Sequence, residues 1–297
     1  LKIDDFAPRL TNLASIGMCF LEEIAKIRAM RKMWARMARE RYGARNPRSC
    51  HLNISVHTSG TSLTYQQPLN NIMRGTIELL AGALAGCTAY GISTFDEPIC
   101  EPTEFASRIA LNTEYIVQYE TGVTDTTDPL GGSYYLEYLT KKLEEEGYRI
   151  FDEIENIGGL QKAAKKGWHD EVLMKMRYER QQAIENKDRI LVGVNELVIP
   201  HEEEEPIPIH EVKPEVSQEI VRRLEEFKRS RNIEAVTESL QHLYEDAHNG
   251  EEFNLMPSII EAVKVNATVG EIWGTIRLGN GLGYDPYNMV ESPFTFR

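Results

Sequence analysis

The stretch His51-Leu-Asn-Ile-Ser-Val-His-Thr-Ser-Gly-Thr61 alternates strictly between apolar and small polar residues before it reaches a turn. In a strand, successive side chains take opposite faces, so Leu52, Ile54 and Val56 lie opposite Asn53, Ser55 and His57. Ordinary α/β barrels fill their interior with large branched side chains. One small polar face therefore predicts a barrel whose centre stays open to a polar ligand, with the Ser59-Gly60-Thr61 turn at the catalytic, carboxyl end of the strand. An antiparallel strand with one solvated face is the alternative.

Four strand-then-helix units follow one another along the chain, which predicts a parallel α/β architecture. The predicted strands are a short strand and turn near Phe6 to Thr11, then His51 to Thr58, Thr88 to Phe95 and the segment Val123 to Pro129. The predicted helices are one from about Gly17 to Tyr42, one carrying Ile72, Thr76, Leu80 and Leu84, one that opens at Pro102 with Thr103 as N-cap, and one carrying Leu136, Leu139, Leu143, Ile150, Ile154 and Ile157.

Several long motifs recur in this order and at this spacing in one known family. They are Phe6-Ala-Pro-Arg-Leu10, Glu23-Ile-Ala-Lys-Ile-Arg28, Thr58-Ser-Gly-Thr-Ser-Leu-Thr64, Thr94-Phe-Asp-Glu-Pro98, Pro102-Thr-Glu-Phe-Ala-Ser-Arg-Ile-Ala-Leu-Asn-Thr113, Asp128-Pro-Leu-Gly-Gly-Ser-Tyr134, Val192-Gly-Val-Asn195 and Ala267-Thr-Val-Gly-Glu271. The chain thus resembles, over nearly its whole length, the large subunit of the adenosylcobalamin-dependent acyl-CoA mutases, among them methylmalonyl-CoA mutase.

The resemblance implies a fold and a domain organisation. The family barrel has eight strands, so the chain is expected to be α/β, the second half of a (β/α)8 TIM barrel followed by a mainly helical C-terminal region. The expected segments are the four β/α units in 1–159, a helical extension with one strand in 160–200, an acidic Pro-containing linker in 201–215, and a helical region in 216–297. A half barrel exposes two sheet edges, so we expect the other four units upstream of Leu1; a self-dimerising half barrel is the alternative.

Three residues match family positions that contact the coenzyme A part of the substrate: Arg9, Thr11 and Arg48. We expect Arg9 and Thr11 just after the first strand, at the catalytic face. A planar guanidinium suits phosphate oxygens because it binds them through two parallel hydrogen bonds. The alternative is a pair of surface arginines and a capping threonine.

An acyl pocket is expected around His57, Gly91 and Ser93. His57 stands where methylmalonyl-CoA mutases carry glutamine, and only histidine changes its charge near neutral pH. Gly91 and Ser93 replace the family's His and Asn and leave a wall of small residues. A core histidine and a strand packed closely on its neighbour are the alternatives.

The resemblance also implies a cofactor surface at Gly60, Thr61, Glu97 and Pro98. Without a Cβ, Gly60 lets the backbone approach a flat corrin, and Glu97 matches a carboxylate that binds the adenosyl ribose. Thr61 replaces a Trp, which weakens the case for methylmalonyl-CoA in particular. No metal ligand is predicted here: the family's cobalt-ligating DxHxxG motif is absent, so the cobalt ligand of adenosylcobalamin must come from another chain or domain.

The implied function is radical carbon-skeleton isomerisation of a short-chain acyl-CoA, such as methylmalonyl-CoA to succinyl-CoA. The implied partner is a small cobalamin-binding subunit in a hetero-oligomer. A non-catalytic, mutase-derived subunit that binds a cobalamin-carrying partner is the alternative, because four positions near the site depart from the methylmalonyl pattern: His57, Thr61, Gly91 and Ser93.

Composition excludes other classes. A net charge of −13 argues against a general nucleic-acid binder. No apolar run approaches the ~20 residues needed to cross a bilayer, so no membrane span is expected. The four cysteines show no CxxC pairing, which is typical of reduced thiols and a cytoplasmic location.

Overall fold

The computed structural model describes residues 1–204, 206–250 and 253–296. It divides into two compact units, Leu1–Glu211 and Val212–Arg297, called unit 1 and unit 2 below. The boundary lies in the predicted linker 201–215, of which Glu205 is outside the described residues. The further division of unit 1 at residue 159 stays a prediction.

Unit 1 contains a parallel sheet of three strands in the order β1-β2-β3. The strands are β1 Thr11–Ile16, β2 Asn53–Thr58 and β3 Ala89–Gly91. Thr11 is paired with Asn53, Ile16 with Thr58, and His57 with Gly91. Because β2 is parallel to both of its neighbours, the antiparallel alternative for this strand is wrong.

Helices cover one face of this sheet. The helices of unit 1 are α1 Ile3–Phe6, α2 Phe20–Arg36, α3 Asn70–Leu84, α4 Glu104–Glu120, α5 Tyr134–Ile157, α6 Leu160–Lys165 and α7 Trp168–Glu185. The main core of unit 1 joins Ile54 and Val56 of β2 to Ile24 and Ile27 of α2 and to Leu136 of α5. The opposite residues of β2 are half-buried or exposed. The predicted alternation is therefore confirmed, and the helices of the main core pack on the apolar face.

The first predicted strand is displaced. Residues Ile3–Phe6 form α1 and Ala7–Arg9 a 3₁₀ turn, so β1 begins only at Thr11. Pro8 has no N–H to donate to a sheet, and its fixed φ suits the start of a helical turn. The Asp4 carboxylate of α1 accepts hydrogen bonds from Arg45 N at 3.0 Å, Asn46 N at 3.2 Å and Ser49 Oγ at 2.7 Å. These bonds fix the segment that leads into β2.

The third strand is shorter than predicted and the fourth is absent from the described part of the chain. After Gly91 the backbone leaves the sheet, because Ser93 N donates to the Thr58 side chain at 2.7 Å instead of to a strand carbonyl. Residues 123–129 form turns. Asp128 there has a left-handed φ of 49° and pairs with Arg28, and this polar segment offers no apolar face to bury.

Two helix predictions hold and one is only partly right. The Thr103 side chain caps α4 by accepting Ala106 N at 3.1 Å, as predicted. The predicted apolar stripe of α5 packs on the core through Leu136, Leu139 and Leu143. In α3 the buried face instead carries Asn71, Gly75, Glu78, Leu79, Ala81 and Gly82, because polar groups of the adjoining turns bind there.

Unit 2 contains four described helices: α8 Pro214–Ser230, α9 Ile233–His248, α10 Met256–Lys264 and α11 Val269–Gly279. Its core joins Val236, Leu240 and Leu243 of α9 to Ala262 and Ile272. Both Arg231 and Glu271 are almost fully buried, and two hydrogen bonds of 2.6 Å join them. The hydrogen bonds from Arg231 and from the Thr268 cap outweigh burial and hold the pKa of Glu271 at about 2.

Candidate functional site

The buried carboxyl group of Glu78 fixes the turn that follows β2. Ser59 N donates to Ile16 O of β1 at 2.8 Å and to Glu78 Oε2 of α3 at 3.0 Å. The hydroxyls of Ser59 and Thr61 are 2.8 Å apart, and Gly60 begins a short 3₁₀ turn. This turn therefore has a fixed shape at the carboxyl end of the sheet, where Gly60 and Thr61 are exposed.

The Glu97 side chain lies against Gly60. An ideal Cβ at position 60 would be 2.8 Å from Glu97 Oε1. Gly60 is therefore needed for the close approach of the carboxylate. Glu97 and Pro98 lie in the turn after β3 and are exposed, so the four predicted cofactor-binding residues are together on one surface.

The neighbouring Asp96 has a different role. It is fully buried, and its Oδ2 accepts Thr103 N at 3.0 Å and Thr103 Oγ1 at 2.8 Å. These bonds tie the turn after β3 to the start of α4. Asp96 thereby holds the turn, while Glu97 is left free to face outward.

His57 and Gly91 adjoin each other on the polar face of the sheet. An ideal Cβ at position 91 would be 2.6 Å from His57 Cδ2, and His57 Nδ1 lies 2.9 Å from Thr58 O. Glu114 of α4 interacts electrostatically with His57. Burial raises the pKa of Glu114, while the hydrogen bond from Ile92 N–H and the charge of His57 lower it by less. The result is an exposed imidazole with a carboxyl group nearby.

Ser93 does not join this pair. It is buried, its N donates to Thr58 Oγ1 at 2.7 Å and its hydroxyl donates to Thr58 O at 3.3 Å. It thus binds the end of β2. Its predicted contact with the acyl group stays a prediction.

The predicted coenzyme A residues lie at the opposite end of the sheet from the turns, not at the catalytic face. Arg9 ends the 3₁₀ turn before β1, Thr11 opens β1, and Arg48 lies in the turn that precedes β2. Because Pro8 displaces β1 toward higher numbers, Arg9 comes before β1 and Thr11 is its first residue, so neither follows the strand as predicted. All three are exposed, and the turns that carry Arg9 and Arg48 adjoin each other. The length of β1, about 17 Å at 3.3 Å per residue, separates this amino end of the sheet from the Ser59–Thr61 turn.

Sequence reasoning missed Glu78. Its side chain is fully buried, and burial, together with the charge of Glu23, raises its pKa to about 7, against the effects of hydrogen bonds from Ser62 and Ser59 N. Its Oε1 has no hydrogen-bond partner among the described residues. The available signal was an acidic residue inside the apolar run Ile77 to Leu84.

The surface around Gly60 offers a carboxylate that suits a ligand with hydroxyl groups. A Cβ at Gly60 would occupy the space that Glu97 uses, and the Glu97 carboxylate makes no hydrogen bond or ion pair among the described residues. It is therefore free to accept two hydroxyl donors. In the described part of the chain, no group of three or more His, Cys, Asp or Glu side chains could hold a metal ion. No described helix has both the length and the apolarity to cross a membrane.

The parallel strands and their connecting helices make this an α/β protein. Proteins of this class bind their ligands beyond the carboxyl ends of the strands, where Gly60, Thr61 and Glu97 are exposed. The comparison with known families agrees with this class: the family described as methylmalonyl-CoA mutase matches residues 1–281. The chain therefore belongs to the methylmalonyl-CoA mutase family.

Three curated relatives show the extent of the similarity. Methylmalonyl-CoA mutase of Rhizobium meliloti (strain 1021) is 38% identical over 278 residues, 93% of this chain and 38% of the relative. Methylmalonyl-CoA mutase of Escherichia coli (strain K12) is 39% identical over 273 residues, 92% of this chain and 38% of the relative. The 2-hydroxyisobutanoyl-CoA mutase large subunit of Aquincola tertiaricarbonis is 36% identical over 284 residues, 93% and 50% respectively. The chain thus spans only two fifths to one half of these relatives.

Proposed function

We propose that this chain is the large-subunit portion of a cobalamin-dependent acyl-CoA mutase, an isomerase that rearranges the carbon skeleton of a short-chain acyl-CoA. The observation that carries the proposal is the separation of two predicted ligand sets along one polar sheet face. Arg9, Thr11 and Arg48 lie at the amino ends of the strands, and Gly60 and Glu97 lie beyond the carboxyl ends. The family match over residues 1–281 supports the same chemistry.

The three parallel strands are, in this proposal, part of the second half of an eight-stranded barrel. Each strand is followed by a helix, and the helices lie on the apolar face. The uncovered face carries small or polar residues at most positions, Leu13 being the large exception. An open channel along this face would admit an elongated ligand.

The coenzyme A moiety would bind along this channel. The guanidinium groups of Arg9 and Arg48 would bind phosphate oxygens, since both are exposed and make no ion pair among the described residues. The Thr11 hydroxyl would add one hydrogen bond. The thioester would then lie a strand length away, beside His57.

The acyl group would meet His57 and Gly91. Nδ1 lies 2.9 Å from Thr58 O, a carbonyl oxygen that only accepts, so Nδ1 carries the proton. Nε2 would then face the acyl group, as an acceptor in the neutral ring and as a donor to an acyl oxygen in the imidazolium. Gly91 leaves the space in which the ring lies. The carboxyl group of Glu114 interacts electrostatically with this ring.

Adenosylcobalamin, when bound, would supply the adenosyl radical that removes a hydrogen atom from the acyl chain. Gly60 and Thr61 would face the corrin, Pro98 would shape the surface beside them, and Glu97 would accept the ribose hydroxyls. The role of these residues is to bind, to orient and to exclude water. The cobalt ligand would come from a partner subunit or another domain, as the absence of a DxHxxG sequence implies.

The experiment is an isomerisation assay on the full-length protein with its cobalamin-binding partner and adenosylcobalamin. Methylmalonyl-, isobutyryl-, 2-hydroxyisobutyryl- and ethylmalonyl-CoA would be tested in turn. Conversion of one of them supports the proposal and identifies the acyl group. Binding of the cofactor and of acyl-CoA with no turnover of any of the four would contradict it and would favour the non-catalytic alternative.

A further inference from the structure

A cavity of about 470 Å³ lies beside the Ser59–Thr61 turn, within unit 1. Three arginines line it: Arg74 from α3, Arg180 from α7 and Arg189 from the loop after α7. Apolar side chains also line it, among them Met73, Ile77, Ile190, Leu191 and Val192. The lining thus combines positive charge with apolar surface and contains no acidic side chain.

Two of the arginines are held in place by uncharged groups. Arg74 donates to Thr64 Oγ1 at 2.6 Å, to Asn71 Oδ1 at 2.7 Å and to Val192 O at 2.8 Å. Arg180 donates to Thr61 O at 2.7 Å. Neither makes an ion pair among the described residues, although the charge of buried Glu78 acts on Arg74. Their charges are therefore positioned but not neutralised.

Arg189 is the unsatisfied member of the group. Its guanidinium makes no hydrogen bond and no ion pair in the described part of the chain, and it is only half-buried. Burial first, and then the like charge of Arg189, lower the pKa of Arg180. Two guanidinium groups that repel each other across a cavity are stabilised when an anion lies between them.

We propose that this cavity, called the arginine cavity below, binds a carboxylate or phosphate group carried on an apolar body. Guanidinium groups bind such anions through paired hydrogen bonds, and the Met, Ile, Leu and Val side chains would cover the apolar part. The anion is either a free small molecule or a group of the same protein outside this chain. Because Arg180 also binds Thr61 O, an occupied cavity would fix the turn that carries Gly60 and Thr61.

The test uses the full-length protein and two variants. Arg189→Gln removes the unsatisfied guanidinium without breaking a contact in the described chain. Arg177→Gln is the matched control, because Arg177 is an exposed residue of α7 with no hydrogen bond or ion pair in the described chain. Inorganic phosphate and butyrate are titrated by calorimetry, with butyramide as the neutral analogue of butyrate.

The expected result is saturable binding of phosphate or butyrate, weakened at least tenfold in Arg189→Gln and unchanged in Arg177→Gln, with no binding of butyramide. An anion supplied by the same protein would instead give no titration, but Arg189→Gln would lower Tm while Arg177→Gln would not. The proposal is overturned if no probe binds and both variants keep the wild-type Tm. Equal binding by Arg189→Gln and the wild type also overturns it.

Discussion

His57 and Gly91 are register partners on neighbouring parallel strands, and the imidazole occupies the space that a side chain at position 91 would need. An ideal Cβ at position 91 would be 2.6 Å from Cδ2 and 3.2 Å from Nε2 of the ring. The glycine is therefore required by the position of the ring. This pair sets the shape of the polar face at the point where we expect the acyl group.

Gly91→Ala should displace the imidazole of His57. Because the ring is exposed, it is free to rotate away, and we expect a loss of stability of only about 1 kcal/mol. The measurement is the His57 ring resonances by NMR together with Tm. Gly270→Ala, where an added Cβ meets nothing within 4 Å, is the control. Unchanged His57 resonances in Gly91→Ala would contradict the geometry.

Glu78→Gln should flatten the dependence of stability on pH. The folded protein holds a proton on Glu78 up to about pH 7, whereas the unfolded chain releases it near 4.5. Folding stability should therefore fall as pH rises from 4.5 through 7 and stay low above it. The amide carries no charge, so Glu78→Gln should be more stable than the wild type at pH 8 by about 1–3 kcal/mol.

Denaturant unfolding at pH 5 and pH 8 measures this difference. Glu101→Gln, a change at an exposed residue with no partner in the described chain, should leave the pH slope unaltered. A slope that is equal in the wild type and Glu78→Gln would show that the carboxyl group does not bind the proton.

Glu97→Gln should weaken binding of adenosylcobalamin by about tenfold, because an amide offers one acceptor oxygen where the carboxylate offers two. Absorbance titration of the full-length protein and its partner measures the affinity. Glu101→Gln, in the same loop, is the matched control and should bind as the wild type does. Equal affinities for all three proteins would remove Glu97 from the cofactor surface.

Arg231→Gln should destabilise unit 2 by about 3–5 kcal/mol, because the buried carboxylate of Glu271 loses both guanidinium hydrogen bonds and keeps only the Lys228 ammonium, 3.8 Å away. Arg229→Gln, which breaks only an exposed pair with Glu225, should cost less than about 1 kcal/mol. Denaturant unfolding measures both. The pKa of Glu271 is about 2 in the folded protein and 4.5 in the unfolded chain. Its contribution is therefore present above pH 4.5 and lost as pH falls toward 2.

The sequence predicted those features that depend on neighbours along the chain. The alternation in β2 and the Thr103 cap are confirmed because each follows from residues a few positions apart. The first strand was misplaced because the proline turn at Pro8 delays it. Residues 123–129 form turns because, apart from Val123 and Pro129, they are polar.

Contacts between residues far apart along the chain could not be predicted from the sequence. Arg180 binds the carbonyl of Thr61 across 119 positions, and no local pattern marks that pair. Glu78 lies under the Ser59 turn only because α3 packs there. The two predicted ligand sets were identified by resemblance, but their separation along β1 required the sheet register.

The three hydrogen bonds that the Asp4 carboxylate accepts have a practical consequence for any attempt to divide the protein. A shortened version that starts after residue 4 would lose the hydrogen bonds that join α1 to the loop that carries Arg48. That loop would then sample many conformations. If Arg9 and Arg48 bind phosphates as proposed, affinity for nucleotide phosphates would fall although both side chains were still present. A fragment whose boundaries were chosen from sequence motifs alone would lack these hydrogen bonds.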